Sequence, residues 1–161
     1  MKKFLTFISF LLICKYHLNA QGTLANVFST SDQFKTFNSL LLKSGYSENL
    51  KMKGPFTVFA PTDDAFLKLP KGLVVSLMNA KTREEKLELY DFVKHYIFEG
   101  AYTVDDLRKI SSLKNIAGDE VKIESDFYGA KINGIVIIQG DIKAKNGYAH
   151  SIGKCFYKPH E

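Results

Sequence analysis

The chain has 161 residues, 45% of them hydrophobic and thirteen of them Phe, which is enough for one domain with a substantial core and too few for two ordinary domains. This composition excludes an intrinsically disordered protein. The formal net charge of +5 falls to +2 without residues 1–20, which carry three of the 22 Lys and Arg and none of the 17 Asp and Glu. The charge therefore gives no support to a nucleic-acid-binding protein, which needs a clustered basic face.

Residues 1–20 have the pattern of a secretory signal peptide. Lys2 and Lys3 precede the apolar run Phe4–Ile13, which is too short to span a bilayer, and the small residue Ala20 ends a cleavage-site pattern. We expect cleavage near Ala20. The remaining residues, 21–161, would form one domain without a transmembrane segment, either secreted, periplasmic or at the cell surface.

The two cysteines are not expected to form a disulfide. Cys14 would leave with the signal segment, and Ile13 is too bulky for the position before an acylated cysteine, so we expect no lipid anchor there. Cys155 would then have no intramolecular partner. Its apolar surroundings favour a small buried hydrophobic side chain, with intermolecular pairing as the alternative.

The start of the domain is predicted to be helical. A short helical turn is expected around Leu24–Phe28. Residues 31–44 have the apolar spacing of an amphipathic helix, with Ser31-Asp32 as the start signal and Gly45 as the stop. Residues 46–54 are polar and are predicted to be a loop.

A buried strand is predicted over Phe56–Ala60, because four of its five residues are apolar and both faces should therefore be covered. Pro61 ends the strand. Thr62 is a favourable N-cap for the next helix, whose first turn contains Asp63 and Asp64. We interpret this segment as a structural corner rather than as a catalytic pair of carboxylates.

Further helices are predicted before the pattern changes. Pro70-Lys71-Gly72 should break the chain ahead of a short helix, Leu73–Met78. Residues 82–85 form a capping box that opens the longest helix, over about residues 83–97. Residues 103–106 are predicted to cap one more short helical turn that runs through Ile110.

From Ser111 onward the hydrophobic period changes to two, which predicts a meander of about five short strands. Asn133-Gly134 is a strong hairpin signal, and Asn146-Gly147 repeats it by joining Asp141–Ala144 to Tyr148–Ile152. The predicted helices come first and the predicted strands come later, apart from one early strand. This order predicts the α+β class rather than a parallel βαβ sheet.

Two segments resemble the signature boxes of the fasciclin domain, an extracellular adhesion module. Thr57–Phe66 is similar to the first box, and Asp141–Ile152, with its Asp-Ile, Asn-Gly and His, is similar to the second, which Pro159 closes. His95 resembles the central histidine of the family, so the resemblance spans about residues 24–159. It implies structural roles for Thr57, Phe59, Pro61, Thr62, Phe66, His95, Asn146, Gly147 and His150.

Similarity to this family implies a wedge of two β-sheets with a layer of helices and a non-enzymatic role in adhesion. Together with the signal segment, it predicts an exported bacterial protein that binds a protein or polysaccharide of the cell surface or extracellular matrix. Three departures leave integrin binding unsupported. Lys94 stands where integrin-engaging members often carry Tyr, and Gly153 stands in place of a common acidic residue. Gly140 and Lys143 flank Asp141-Ile142 in place of the Pro and Met of the integrin-associated variant.

Partner binding is expected at the polar rim of the second hairpin, because turns on a rigid sheet often carry recognition residues. Two lysines alternate there with two apolar residues, so both ammonium groups should face water on one side. The candidate residues are Asp141, Ile142, Lys143, Lys145 and Asn146. The loop Gly100–Asp106 is the alternative region. Tyr102, Phe127 and Tyr128 are weaker candidates for exposed contacts.

The alternative function is a hydrolase or metal-dependent enzyme that uses His95 or His150. The sequence contains no His-x-x-x-His pair, no pair of cysteines in the domain, no Gly-flanked nucleophilic Ser and no phosphate-binding glycine loop. We therefore expect no catalytic residue, cofactor or metal, and interpret both histidines as buried, hydrogen-bonded structural side chains. A concave pocket with convergent polar groups would favour the enzyme.

Overall fold

The structure is a computed structural model that describes residues 22–127 and 129–156. The predicted signal segment with Cys14 and its cleavage point, together with Tyr128 and Pro159, lies outside the described residues. Within the described residues, none of the helices combines the length and the apolar character required to cross a bilayer.

The described residues form seven helices and seven strands, with most helices preceding most strands, and the predicted α+β class is confirmed. The helices are α1 (Leu24–Thr30), α2 (Lys35–Ser44), α3 (Tyr46–Asn49), α4 (Asp63–Phe66), α5 (Leu73–Met78), α6 (Arg83–Lys94) and α7 (Val104–Leu107). The strands are β1 (Phe56–Pro61), β2 (Ile97–Glu99), β3 (Ser112–Lys114), β4 (Glu120–Asp126), β5 (Gly129–Ile132), β6 (Ile135–Ala144) and β7 (Gly147–Ile152).

In the described residues the strands form one hydrogen-bonded sheet in the order β2-β1-β7-β6-β5-β4-β3. The early strand β1 lies between β2, to which it is antiparallel, and β7, to which it is parallel. Residues 135–136 of β6 pair with β5, whereas residues 137–144 pair with β7 through two register shifts. The two implied sheets are therefore halves of one sheet that share β6. Phe98 bridges to Asn115 just after β3, so the two edges of the sheet meet.

The core lies between the sheet and the N-terminal helices. The apolar side chains on one face of these helices pack against the buried side chains of β1. Three aromatic rings of this layer pack edge to face, with Phe28 at 5.5 Å from Phe34 and 5.4 Å from Phe37 between ring centroids. Val58 and Phe59 of β1 are fully buried, as the unbroken apolar run predicts. Burial of each such side chain contributes about 1.5–3 kcal/mol.

Helix α2 begins at Lys35 rather than at residue 31. The N-cap residue is Phe34, which is fully buried. A carboxylate from another element binds one of the free backbone N–H groups at this helix end. The Thr36 N–H donates a 2.7 Å hydrogen bond to Oδ1 of Asp63. Asp63 therefore caps α2, while Thr62, at the N-cap of α4, makes no capping hydrogen bond with its side chain.

Three further boundaries differ from the prediction. The predicted loop 46–54 begins with one helical turn, α3, and α7 ends at Leu107. The longest helix ends at Lys94 instead of continuing to residue 97. There the chain turns into β2 and pairs with β1, because Ile97 and its neighbours are fully buried beside that strand.

The two hairpins differ from each other. Asn133 and Gly134, with φ values of 49° and 73°, form the predicted two-residue turn between β5 and β6. In the second hairpin the turn residues are Lys145 and Asn146, and Gly147 is already the first residue of β7. Within the described residues five strands follow Ser111, as expected, but the segments predicted at 135–138 and 141–144 are one strand, and the prediction has no counterpart to β3.

Candidate partner-binding site

The side chain of Asn146 holds the second hairpin against two distant segments. Its Oδ1 accepts a 2.9 Å hydrogen bond from the Leu24 N–H, and its Nδ2 donates to the carbonyls of Leu50 and Met52, both at 2.8 Å. The amide of this candidate residue is therefore occupied by backbone groups of the fold, although Asn146 itself is only half-buried.

Gly147 explains why this hairpin requires glycine although it is not a turn residue. Its φ is +148°, and a Cβ at this position would lie 1.8 Å from the carbonyl oxygen of Phe56. A Cβ on Gly54 would likewise lie 2.2 Å from the carbonyl oxygen of Asn146. The backbones of β7 and of the segment before β1 therefore touch, which fixes the hairpin in place.

Asp141 also serves the fold. Its Oδ1 accepts a 2.8 Å hydrogen bond from the N–H of Val104, the first residue of α7, and its backbone has a φ of +58°. Ile142 beside it is half-buried and packs against the core. These two candidate residues therefore position the hairpin and offer little to a partner.

Lys143 and Lys145 are exposed, as their alternation with Ile142 and Ala144 predicts, and Ala144 is buried. Both lysines line one open groove of about 630 Å³. Its other wall is the segment between α3 and β1, and its floor is made of small or flat side chains. The remaining lining residues are Thr23, Lys51, Met52, Lys53, Gly54, Pro55, Ala101, Asn146, Gly147 and Tyr148.

The groove is electropositive. Among the residues that the structure describes, four lysines line it and no carboxylate does. Lys51 pairs with Glu48 at 2.6 Å, whereas Lys53, Lys143 and Lys145 have no carboxylate within 4.0 Å in the part of the chain that the structure describes. Three ammonium groups are therefore available for an anionic ligand.

Lys51, Lys53 and Tyr148 were missed by the sequence analysis. The two lysines lie in a polar segment that carries no motif, and only the bonds of Asn146 bring that segment beside the hairpin. Tyr148 pairs with Lys143 across β6 and β7. The strand alternation alone could have placed this ring beside the lysine.

His150 is completely buried and both of its ring nitrogens are engaged by the backbone. The ring stacks on Phe59 with a centroid distance of 5.2 Å. Nδ1 accepts a 3.1 Å hydrogen bond from the Asp141 N–H, so the proton resides on Nε2, which donates to the Tyr102 carbonyl at 2.9 Å. Burial lowers the pKa of His150, because the charged ring would lose its hydration.

Thr57 extends this network to β1. Its hydroxyl donates a 2.7 Å hydrogen bond to the Gly100 carbonyl and accepts one of 2.9 Å from the Tyr102 N–H. The loop that follows β2 is thus held between Thr57 and His150. The loop is therefore held in place by side chains of β1 and β7, and it contributes Ala101 to the lining of the groove.

His95 is half-buried, with 29% of its side chain exposed, so the expectation of full burial is wrong for this histidine. It follows the last residue of α6, and its Nδ1–H donates to the Asp91 carbonyl at 2.7 Å. Its Nε2 lies 2.8 Å from Oδ2 of Asp119. Its surface carboxylate partner keeps the ring at the boundary of the fold, where it links α6 to the turn before β4.

The other candidates are spread over the molecule. Phe127 is 91% exposed and Tyr102 is half-buried. Cys155 is half-buried, and burial raises the pKa of its thiol to about 12, which disfavours the thiolate that disulfide exchange requires. Among residues 22–127 and 129–156, no three His, Cys, Asp or Glu side chains are arranged to hold a metal ion.

A second depression of about 480 Å³ lies between α2 and α6 and contains neither histidine. Its lining residues are Ser44, Arg83, Lys86, Leu87 and Tyr90. Like the groove beside the hairpin, it lacks the paired acid and base that a hydrolase needs.

Comparison with known proteins agrees with this architecture. The model of the Fasciclin domain family matches residues 32–158. Protein sll1483 of Synechocystis is 30% identical over 85% of this chain and 74% of its own length. The transforming growth factor-beta-induced protein ig-h3 of Sus scrofa is 29% identical over 86% of this chain and 20% of its own length.

A solved structure shows the same fold. It is a FAS1 domain pair from the insect cell adhesion molecule Fasciclin I, with a TM-score of 0.73 and 17% identity. The superposition covers 85% of this chain and 51% of that pair, so this chain spans about half of the length of the pair.

Proposed function

Because the chain belongs to the fasciclin domain family, we propose that it is an exported adhesion module that binds a protein or polysaccharide of the cell surface or extracellular matrix. The signal-peptide pattern of residues 1–20 supports export. Fasciclin domains occur in cell-adhesion proteins, which supports an interaction role without catalysis.

The observation that carries the proposal is the fixed, basic rim of the second hairpin. Lys143 and Lys145 are exposed on a hairpin whose backbone is tied down by Asn146 and by the contact of Gly147 with β1. Recognition groups on a rigid support lose little conformational entropy on binding. This rim is therefore better suited to recognition than a mobile loop.

The alternative of a hydrolase or metal-dependent enzyme gains no support from the geometry of the two histidines. Both ring nitrogens of His150 are hydrogen-bonded to backbone groups, so the ring has no free lone pair for a substrate proton or a metal ion. In His95, Nδ1 is bonded to the Asp91 carbonyl and Nε2 lies beside the Asp119 carboxylate. Neither ring faces one of the two depressions described above.

The test is attachment of the purified domain, residues 21–161, to envelopes isolated from its source cells. The variant Lys143→Gln with Lys145→Gln should attach more weakly, because two unpaired ammonium groups are lost. Asp141 is left unchanged, since its carboxylate holds the Val104 N–H.

The matched control is Lys71→Gln with Lys81→Gln, which removes the same charge from two exposed lysines outside the groove. It should attach like the unmodified protein, and circular dichroism should be the same for all three proteins. Full attachment by the folded hairpin variant would contradict the proposed site.

A further inference from the structure

The walls of the groove beside the second hairpin bring positive charge from opposite sides. Lys143 and Lys145 stand on the hairpin, and Lys51 and Lys53 stand on the segment between α3 and β1. Only Lys51 has a carboxylate partner, Glu48, in the described residues. A linear polyanion lying in the groove would meet ammonium groups along both of its sides, whereas a single small anion would use only one of them.

The floor between the lysines is uncharged and exposes flat or small side chains. Pro55 and Ala101 are exposed, and Tyr148 is half-exposed beside Lys143, its cross-strand partner. An aromatic ring with an apolar face and a polar hydroxyl suits a ligand that is itself apolar on its faces and polar at its edges. The pyranose ring of a sugar has this character, because its axial C–H bonds form an apolar face.

The backbone around the groove is not free to receive an extended peptide. β7 already has β1 on one side and β6 on the other, so it offers no strand edge for β-augmentation. Backbone donors at the rim are also occupied: the Phe56 N–H donates to the Asn146 carbonyl and the Lys145 N–H donates to the Gly22 carbonyl. The groove therefore offers ammonium groups and ring faces rather than a free strand edge.

We propose that this groove binds an acidic polysaccharide, a linear sugar chain carrying carboxylate groups that reach the lysines on both walls while its rings lie over Tyr148 and Pro55. The inference rests on the proposed function and names the partner class for the same site. Lys53 lines the groove from the segment between α3 and β1, so a requirement for Lys53 distinguishes binding in the groove from binding by the hairpin alone.

The test compares three polymers by isothermal titration of the domain, residues 21–161. Alginate carries carboxylates on a sugar chain, dextran is a sugar chain without charge, and poly-L-glutamate carries the same carboxylates on a peptide chain. Alginate should bind, dextran should not, and poly-L-glutamate should bind at least about threefold more weakly than alginate, a difference of about 0.7 kcal/mol. Alginate binding should weaken as salt rises.

Two variants assign the binding to the groove. Lys53→Gln with Lys143→Gln removes one charge from each wall and should weaken alginate binding about threefold to tenfold. Tyr148→Phe keeps the ring and should retain alginate binding, whereas Tyr148→Leu should weaken it while leaving poly-L-glutamate binding unchanged. Lys71→Gln with Lys81→Gln should bind alginate like the unmodified protein.

The inference is overturned if alginate does not bind, if the groove variant binds it like the control, or if poly-L-glutamate binds as tightly as alginate. The last result would identify an acidic protein as the partner. If envelope attachment still requires Lys143 and Lys145 in any of these cases, the proposed function stands and only the ligand class is wrong. If envelope attachment is also independent of both lysines, the proposed function fails with it.

Discussion

His150 and Asp141 hold each other in place across β6 and β7. The Asp141 N–H donates a 3.1 Å hydrogen bond to Nδ1 of His150, at a point where Asp141 has a φ of +58°. The opposite nitrogen of the ring donates to the Tyr102 carbonyl. One buried ring thus stabilises an irregular point of β6 and the loop after β2.

Replacing His150 by Phe should destabilise the domain by about 1–3 kcal/mol, because an aromatic ring still fills the site but the Asp141 N–H and the Tyr102 carbonyl lose their partner. Denaturant unfolding followed by circular dichroism measures the change. His150→Gln, which retains a donor and an acceptor, should lose less. Unchanged stability in His150→Phe would contradict a structural role.

Stability should depend on pH through the same ring. Burial lowers the pKa of His150 below its ordinary value of 6.5, so the folded protein binds fewer protons than the unfolded chain in this range. The free energy of unfolding contributed by the neutral ring is fully present above about pH 6.5 and falls as pH drops from there through the lowered pKa.

The measurement is the free energy of unfolding of the unmodified protein and of His150→Phe at a series of pH values between about 7 and 5. The difference between the two proteins should shrink as the pH falls, because Phe does not titrate. His95 is present in both and cancels from the comparison. A difference that stays constant with pH would show that the pKa of His150 is the same in the folded and unfolded states.

Asn146→Ala should cost about 1–3 kcal/mol, since the Leu24 N–H and the carbonyls of Leu50 and Met52 lose their common partner. The substitution should lower the local stability around Leu24 as well as the free energy of unfolding of the whole domain. Hydrogen exchange of the Leu24 amide should accelerate more than exchange in the centre of the sheet. Asn79→Ala, at an exposed asparagine, is the control and should be close to neutral.

Gly147→Ala should prevent normal packing of β7 on β1. Gly129 provides a matched control, because both glycines have a φ of +148° while an added Cβ would meet the Phe56 carbonyl oxygen at Gly147 and open space at Gly129. Both alanine variants would place a side chain at the same unfavourable φ, so the difference in unfolding free energy reports chiefly on the collision. We expect that difference to exceed about 2 kcal/mol, and equal stabilities would contradict it.

Helix starts and stops were predicted correctly where they depend on residues close together in the chain. Thr82 and Glu85 form the predicted capping box, with hydrogen bonds of 3.2 Å and 2.9 Å. Gly45 ends α2 with a left-handed φ of 79°. The end of α6 was missed because Tyr96 and Ile97 continue the apolar stripe of the helix. Only their pairing with β1, a tertiary contact, turns this segment into a strand.

The candidate site was predicted in part for the same reason. Strand alternation was enough to place Lys143 and Lys145 in solvent. The roles of Asp141 and Asn146 were not accessible, because their side chains bond to residues remote in the chain; the Leu50 carbonyl bound by Asn146 is 96 positions earlier. The segment between α3 and β1, which forms the second wall of the groove, could not be predicted for the same reason, because it is remote in the chain from the hairpin.

The parallel pairing of β1 with β7 also has a consequence for the timing of folding. The middle of the sheet joins residues 56–61 to residues 147–152, so it cannot close until residue 152 has left the ribosome. Closure of so long a loop makes folding slow, on the scale of milliseconds to seconds typical of nonlocal β topologies. Under the proposed export, the nascent chain would therefore still be unfolded when it reaches a translocation channel.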